Sequence, residues 1–208
     1  MQIKNMILAA TVLLAGTACK STHEHSHGAH ADMSPQEMEA MMARMMELAT
    51  PGPEHKELAE MVGAWDQKVK MRMSPDTPWT ESTGTTECTS LLDGRYILEK
   101  LEMVMPPMPG TDAPMVMKGA QIIGFDKMTG EYTSIWMDSW STWAQFTRGK
   151  KGADGTVELK GTMVDVAGKR PFRIVIKHGP DGHTHSEMFD TIDGKEVQMM
   201  IIDATKRK

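Results

Sequence analysis

Three groups of side chains in this 208-residue chain have types and spacings that could do chemistry. The first is a histidine tract, His23, His25, His27 and His30, within KSTHEHSHGAHADM. Neutral imidazole is the commonest metal ligand and suits zinc, copper or nickel. The spacing is loose, so metal binding competes here with a solvated linker that picks up ions adventitiously. The second group is His183 and His185, two positions apart, so that both imidazoles leave one face of a strand. Glu187 would add a third donor on that side, a set that fits zinc or copper, and His178 could join if the hairpin brings it near. The competing reading is exposed polar surface beside a turn. The third group is polar residues that share strand faces with apolar ones. Gln67 alternates in phase with Trp65, Val69 and Met71, Glu99 with Ile97, Leu101 and Met103, and Asp138 with Tyr132 and Trp136. Buried polar groups need partners, so these residues either pair structurally or line a wet cavity. Trp65, Gln67, Glu99, Trp136 and Asp138 are therefore the cavity candidates.

Methionine is the one unusual count, 22 residues. Thioethers serve adaptable cores, adhesive surfaces and copper(I) sites alike. Met38, Met41, Met42, Met45 and Met46 fall at helical spacing on one face, which is either packed on the domain or free as a soft-metal or partner stripe. No nucleophile elbow, phosphate loop, dinucleotide fingerprint or His-Glu-x-x-His is present, and no acid–base or nucleophile pair stands out. Net charge is −5 with mixed signs along the chain. Without a basic stripe, nucleic acid is not an expected partner.

The elements that must position these groups begin with an export signal. Lys4 is a positive n-region, Met6 to Leu14 an apolar stretch too short to span a bilayer, and Ala15-Gly16-Thr17-Ala18 lead into Cys19. This resembles a bacterial lipobox, with cleavage before Cys19 and acylation of the cysteine by palmitate-type chains, which hold stably when several are present. Lys20 follows rather than Asp, which resembles an outer-membrane address facing the periplasm. With Cys19 acylated, Cys88 has no disulfide partner and reads as a small buried hydrophobe. Residues 19–33 form a polar tether. At Ser34-Pro35-Gln36-Glu37 a capping box opens a helix that Thr50-Pro51-Gly52-Pro53 stops, and a second short helix runs from about Glu54 to Met61. The helical segment spans 34–62.

From Gly63 to Lys208 the period changes to two. Trp65, Val69, Met71 and Met73 alternate with Asp66, Lys68, Lys70 and Arg72. Turn signals recur at Asp93-Gly94, Asp126–Gly130, Asp154-Gly155, Pro180–Gly182 and Asp193-Gly194. The clearest later strands are Tyr96–Met105, Val116–Phe125, Tyr132–Met137, Thr142–Thr147, Val157–Val164, Phe172–Ile176, His183–Phe189 and Val197–Ile202. No helical crossover interrupts them. The expected fold is all-β, an antiparallel barrel of about ten strands behind one or two short helices, with a sandwich as the alternative.

Gly63-Ala64-Trp65, Leu92-Asp93-Gly94-Arg95-Tyr96, Gly124-Phe125-Asp126 with Gly130-Glu131-Tyr132, and Trp136-Met137-Asp138 occur in an order that resembles the bacterial family called domain of unknown function 1579. The resemblance covers about Gly52 to Lys208. It implies a calycin-like barrel, similar to lipocalins and fatty-acid-binding proteins. In such barrels the Gly-x-Trp of the first strand closes the base and a basic residue near the chain end packs on the Trp. Trp65 suits the first role, Lys206 or Arg207 the second. The family brings no established activity. The expected function is therefore a lipid-anchored, envelope-located binding module that holds a small apolar or amphipathic ligand. The alternative is copper handling by the histidine tether and the methionine helix.

Overall fold

The structure, a computed structural model, describes residues 33–107, 112–166 and 168–208. The signal segment, Cys19 and the tether histidines His23, His25, His27 and His30 lie outside the described residues. The described chain divides after Met42, and Ala43–Lys208 forms a compact unit.

Helix α1, Pro35–Ala49, begins where its sequence signals it. The Ser34 N–H donates to Glu37 Oε2 at 2.7 Å and the Glu37 N–H to Ser34 Oγ at 3.3 Å, so two orphan donors of the first turn are satisfied reciprocally. None of its residues is buried. Helix α2, Pro53–Ala59, starts from Gly52, whose N–H donates to His55 Nδ1 at 3.1 Å. Its His55 and Leu58 are buried.

Ten strands follow: β1 Gly63–Met71, β2 Thr80–Leu91, β3 Tyr96–Met105, β4 Met115–Asp126, β5 Glu131–Asp138, β6 Gln145–Lys151, β7 Val157–Asp165, β8 Gly168–His178, β9 His183–Ile192 and β10 Lys195–Lys206. Every neighbouring pair is antiparallel, and β1 pairs with both β2 and β10, so the sheet closes into a barrel with no free edge. The expected barrel of about ten strands is what forms. Positions in the chain differ from expectation in several places, and β8 and β10 run beyond the expected Phe172–Ile176 and Val197–Ile202 at both ends. β2 falls on TESTGTTECTSL, whose inward positions Ser82, Gly84 and Thr86 are too small or polar to show a hydrophobic period. β6 starts at Gln145 rather than Thr142 and runs on to Lys151. β1 ends at Met71, leaving Met73 exposed.

The register puts alternate residues inside, as a period of two requires. Two apolar clusters line the interior. At the base, Leu58 of α2 packs with Trp65, Cys88, Ile97, Tyr132, Val157, Leu159 and Ala204. Toward the opposite end, Val69, Leu101, Met103 and Met105 gather with Met71, Met117, Trp136, Met200 and Ile202.

Candidate functional site

The base is fastened shut. Trp65 donates its indole N–H to Met61 O at 2.8 Å. Lys206 lies 5.7 Å from the centroid of the Trp65 ring and donates to Glu60 O at 2.8 Å, so the basic residue on the tryptophan is Lys206. Arg207 turns outward to Asp66. Phe125 meets His55 and Tyr132 edge-on, and Tyr132 donates to Glu57 Oε2 at 3.1 Å. Burial and the neighbouring Glu57 push the Tyr132 phenol up to about 12.

Above this plug lies a polar patch on the inner wall. In the register, Trp65 stands opposite Thr86 and Gln67 opposite Gly84, while on the next strand Thr86 faces Leu101 and Cys88 faces Glu99. Thr86 is therefore the diagonal neighbour of Gln67 on one side and of Glu99 on the other. Gly84 puts no side chain opposite Gln67, and the Gln67 amide reaches Glu99 and hydrogen-bonds its carboxylate. Burial pushes Glu99 up to about 7, against the opposing effect of that hydrogen bond. Cys88, beside it, is pushed up to about 12 by burial first and by the Glu99 charge second. Its thiol stays neutral and unreactive at ordinary pH.

Two atoms of this patch have no hydrogen-bond partner among the described residues, Gln67 Oε1 and Thr86 Oγ1, although their residues are only 8% and 4% exposed. Buried polar atoms are almost always paired, so two orphans side by side mark a place where the wall awaits a partner. On the adjoining strands the polar groups satisfy one another: Gln121 Nε2 donates to Ser134 Oγ at 2.8 Å, and Ser134 shares a hydrogen bond of 2.9 Å with Thr147.

Inward side chains beyond the patch, among them Gln121, Met117, Trp136, Met188 and Ile202, are only half-buried. Glu99 itself is half-buried by exposed area, yet desolvation dominates its titration. Trp136 lies over Gly119, where a Cβ would collide with the indole, and donates to Asp138 Oδ2 at 2.9 Å. Asp138 also accepts from the Trp140 N–H at 2.9 Å, which makes it a rim residue that orients Trp136. Trp140 and Trp143 are exposed rather than packed. Two hollows on the outside, about 240 and 360 Å³, lie away from this patch, the first bordered by His55, Arg95 and Lys127 and the second by Lys100, Lys118 and Met137.

Sequence phase thus brings Gln67, Glu99 and Trp65 to adjoining levels of one inner wall and puts Trp136 and Asp138 at the rim. Sequence reading missed Thr86, which one threonine among many on β2 gives no means to single out. A second, partly buried polar cluster was also missed. Arg170 grips Asp165 with two bonds of 2.9 and 2.8 Å and Asp190 with one of 2.8 Å. These bonds raise the Arg170 guanidinium further above its already high range.

His183 and His185 point outward, because the register sets the intervening Thr184 opposite the inward Ala204. His185 holds Asp203 at 2.7 Å through Nδ1 and Glu187 at 3.1 Å through Nε2, and those two hydrogen bonds raise its pKa. Both ring nitrogens are thereby occupied. His178 sits on the opposite face, against Thr184 at 3.3 Å. Among the described residues no group of three or more His, Cys, Asp or Glu is arranged to hold a metal ion.

A family model described as "Protein of unknown function (DUF1579)" matches residues 50–206. Among solved structures, the crystal structure of Rv2717c from M. tuberculosis is similar, with a TM-score of 0.56 at 9% identity, covering 76% of this chain and 100% of that one. That likeness concerns the fold alone. No curated protein matches the chain.

Proposed function

We propose that this chain, which belongs to the DUF1579 family of proteins of unknown function, is a binding module that takes a small apolar or amphipathic molecule into its barrel. The observation that carries the reading is the pair of orphaned acceptors, Gln67 Oε1 and Thr86 Oγ1, on a confined inner wall otherwise lined by thioethers, aliphatic side chains and Trp136. Ligand sites are concave, mostly apolar, and carry a few convergent polar groups. Methionine suits such a lining, since its flexible stem repacks around different occupants.

The test uses the chain from Lys20 onward, which keeps every described residue. N-phenyl-1-naphthylamine, a neutral apolar dye, should bind saturably at one site and quench the tryptophan emission. Fluorescence that rises without saturation, or a solved structure in which side chains fill the interior, would remove the proposal. The module is further proposed to be exported, anchored through acyl groups on Cys19 and held at the outer membrane facing the periplasm. Labelled palmitate should enter the native chain and not the Cys19→Ala variant.

A second reading draws on α1. Met42, Met45 and Met46 are 50%, 55% and 66% exposed, so these thioethers are open to a soft ion such as copper(I), with the histidine tract as further donors. Comparing copper binding by the chain from Lys20 with one that lacks 20–48 decides this. Equal, weak binding in both ends it.

A further inference from the structure

We propose that the occupant of the barrel carries a positively charged head with N–H donors, an alkylamine or alkylguanidine, seated against Glu99 with Gln67 Oε1 and Thr86 Oγ1 as its other acceptors. The proposal rests on the binding-module reading above and adds the sign and hydrogen-bonding sense of the head.

Three observations converge on it. First, Glu99 has no basic partner among the described residues. From β1 it receives the Gln67 amide, and in the register it faces Cys88 of β2 and Gln121 of β4. Cys88 is the one titratable group among these, and it stays a neutral thiol. A carboxylate removed from water without a counter-ion is costly, and a bound cation removes that cost. Second, the basic groups on the inner face are already committed. Arg170 is held by Asp165 and Asp190, and Lys206 by Glu60 O and the Trp65 ring. An anionic head would meet the Glu99 carboxylate and find no available cation among those groups. Third, Gln67 Oε1 is an acceptor and Thr86 Oγ1 a hydroxyl able to accept, both more than nine-tenths buried and unpartnered next to that carboxylate. A carboxylate and an amide oxygen accept only, and the Thr86 hydroxyl can accept as well as donate, so the spot suits a ligand that brings donors, and an ammonium brings three. Above the spot, Leu101, Met103, Met117 and Trp136 offer apolar surface to the tail.

The experiment displaces N-phenyl-1-naphthylamine from the chain beginning at Lys20 with dodecylamine, dodecanol and dodecanoate, each below its micelle concentration. At about pH 8, with Glu99 ionised, dodecylamine should bind at least about tenfold tighter than dodecanol, and dodecanoate weakest, since hydrogen bonds between charged partners are the strong class. The amine preference should fall between about pH 8 and pH 6 as Glu99 takes up a proton. Glu99→Gln should erase the difference between amine and alcohol. Thr86→Val, nearly isosteric and free of any charge change, should lower amine affinity several-fold, so the proposal stays testable if the first variant misfolds. Dodecylamine no tighter than dodecanol, or an equal preference in native and Glu99→Gln chains, overturns the cationic head while leaving the barrel site standing. If no amphiphile displaces the dye, the binding-module reading falls, and this inference with it.

Discussion

The two halves of the barrel interior are built from different materials. The base uses aromatic and branched side chains locked by directional bonds: Trp65 onto Met61 O, Lys206 over the indole, Tyr132 onto Glu57, with Leu58 of α2 as plug. The other half uses Met71, Met103, Met105, Met117 and Met200 around Trp136, with polar atoms left open on the wall between. Shape-specific packing gives a base that resists opening. Unbranched thioethers give a lining that changes shape at little cost. The contrast separates a region that holds the fold from a region available to an occupant.

Trp65→Ala probes the rigid half hardest. It deletes the largest side chain of the base cluster and leaves Lys206 without its ring, and should cost about 3–5 kcal/mol in denaturant unfolding. A loss under about 1 kcal/mol would dissolve the distinction. Glu99→Gln probes the boundary between the halves and works in the other direction. The folded-state pKa of Glu99 is raised from 4.5 to about 7, so its protonated form is favoured by folding. The resulting stabilisation is fully present below about pH 4.5 and is lost as pH rises through about 7. The native chain without ligand should therefore weaken across that window by on the order of 3 kcal/mol, and Glu99→Gln should flatten the profile and be the more stable protein at about pH 8. A pH-independent difference between the two would place Glu99 in contact with water.

Gly119→Ala tests whether Trp136 has one seat. A Cβ there overlaps the indole, so the ring must move off Asp138. Overpacking of this kind should cost about 1–3 kcal/mol with a shift in tryptophan emission. Met117→Leu makes the smallest change. The volume is nearly conserved, and the stability loss should stay below about 1.5 kcal/mol, while dye affinity changes more than stability does because the lining has lost flexibility.

Much of the wall was readable from residue types. Alternation around Trp65 and Ile97 set Gln67 and Glu99 facing inward, since a strand side chain has two choices and the apolar neighbours select one. Cys88 read correctly as a buried hydrophobe because an unpaired cysteine behaves as a small apolar side chain. β2 was hard to see because its inward positions are Ser82, Gly84 and Thr86, small residues that carry no hydrophobic signal yet fit where β1 and β3 project long side chains. The outward phase of His183 and His185 was fixed by pairing with β10 and could not come from their own spacing.

Local chemistry alone determined the capping box of α1, the turns, the strand period and hence an all-β chain, because each depends on residues a few positions apart. Tertiary structure alone decided that Gln67, Thr86 and Glu99, from three strands, meet at one spot with two acceptors unfilled. It also decided that Lys206, and not Arg207, covers Trp65. Those outcomes depend on register and closure around the barrel, which no single strand encodes.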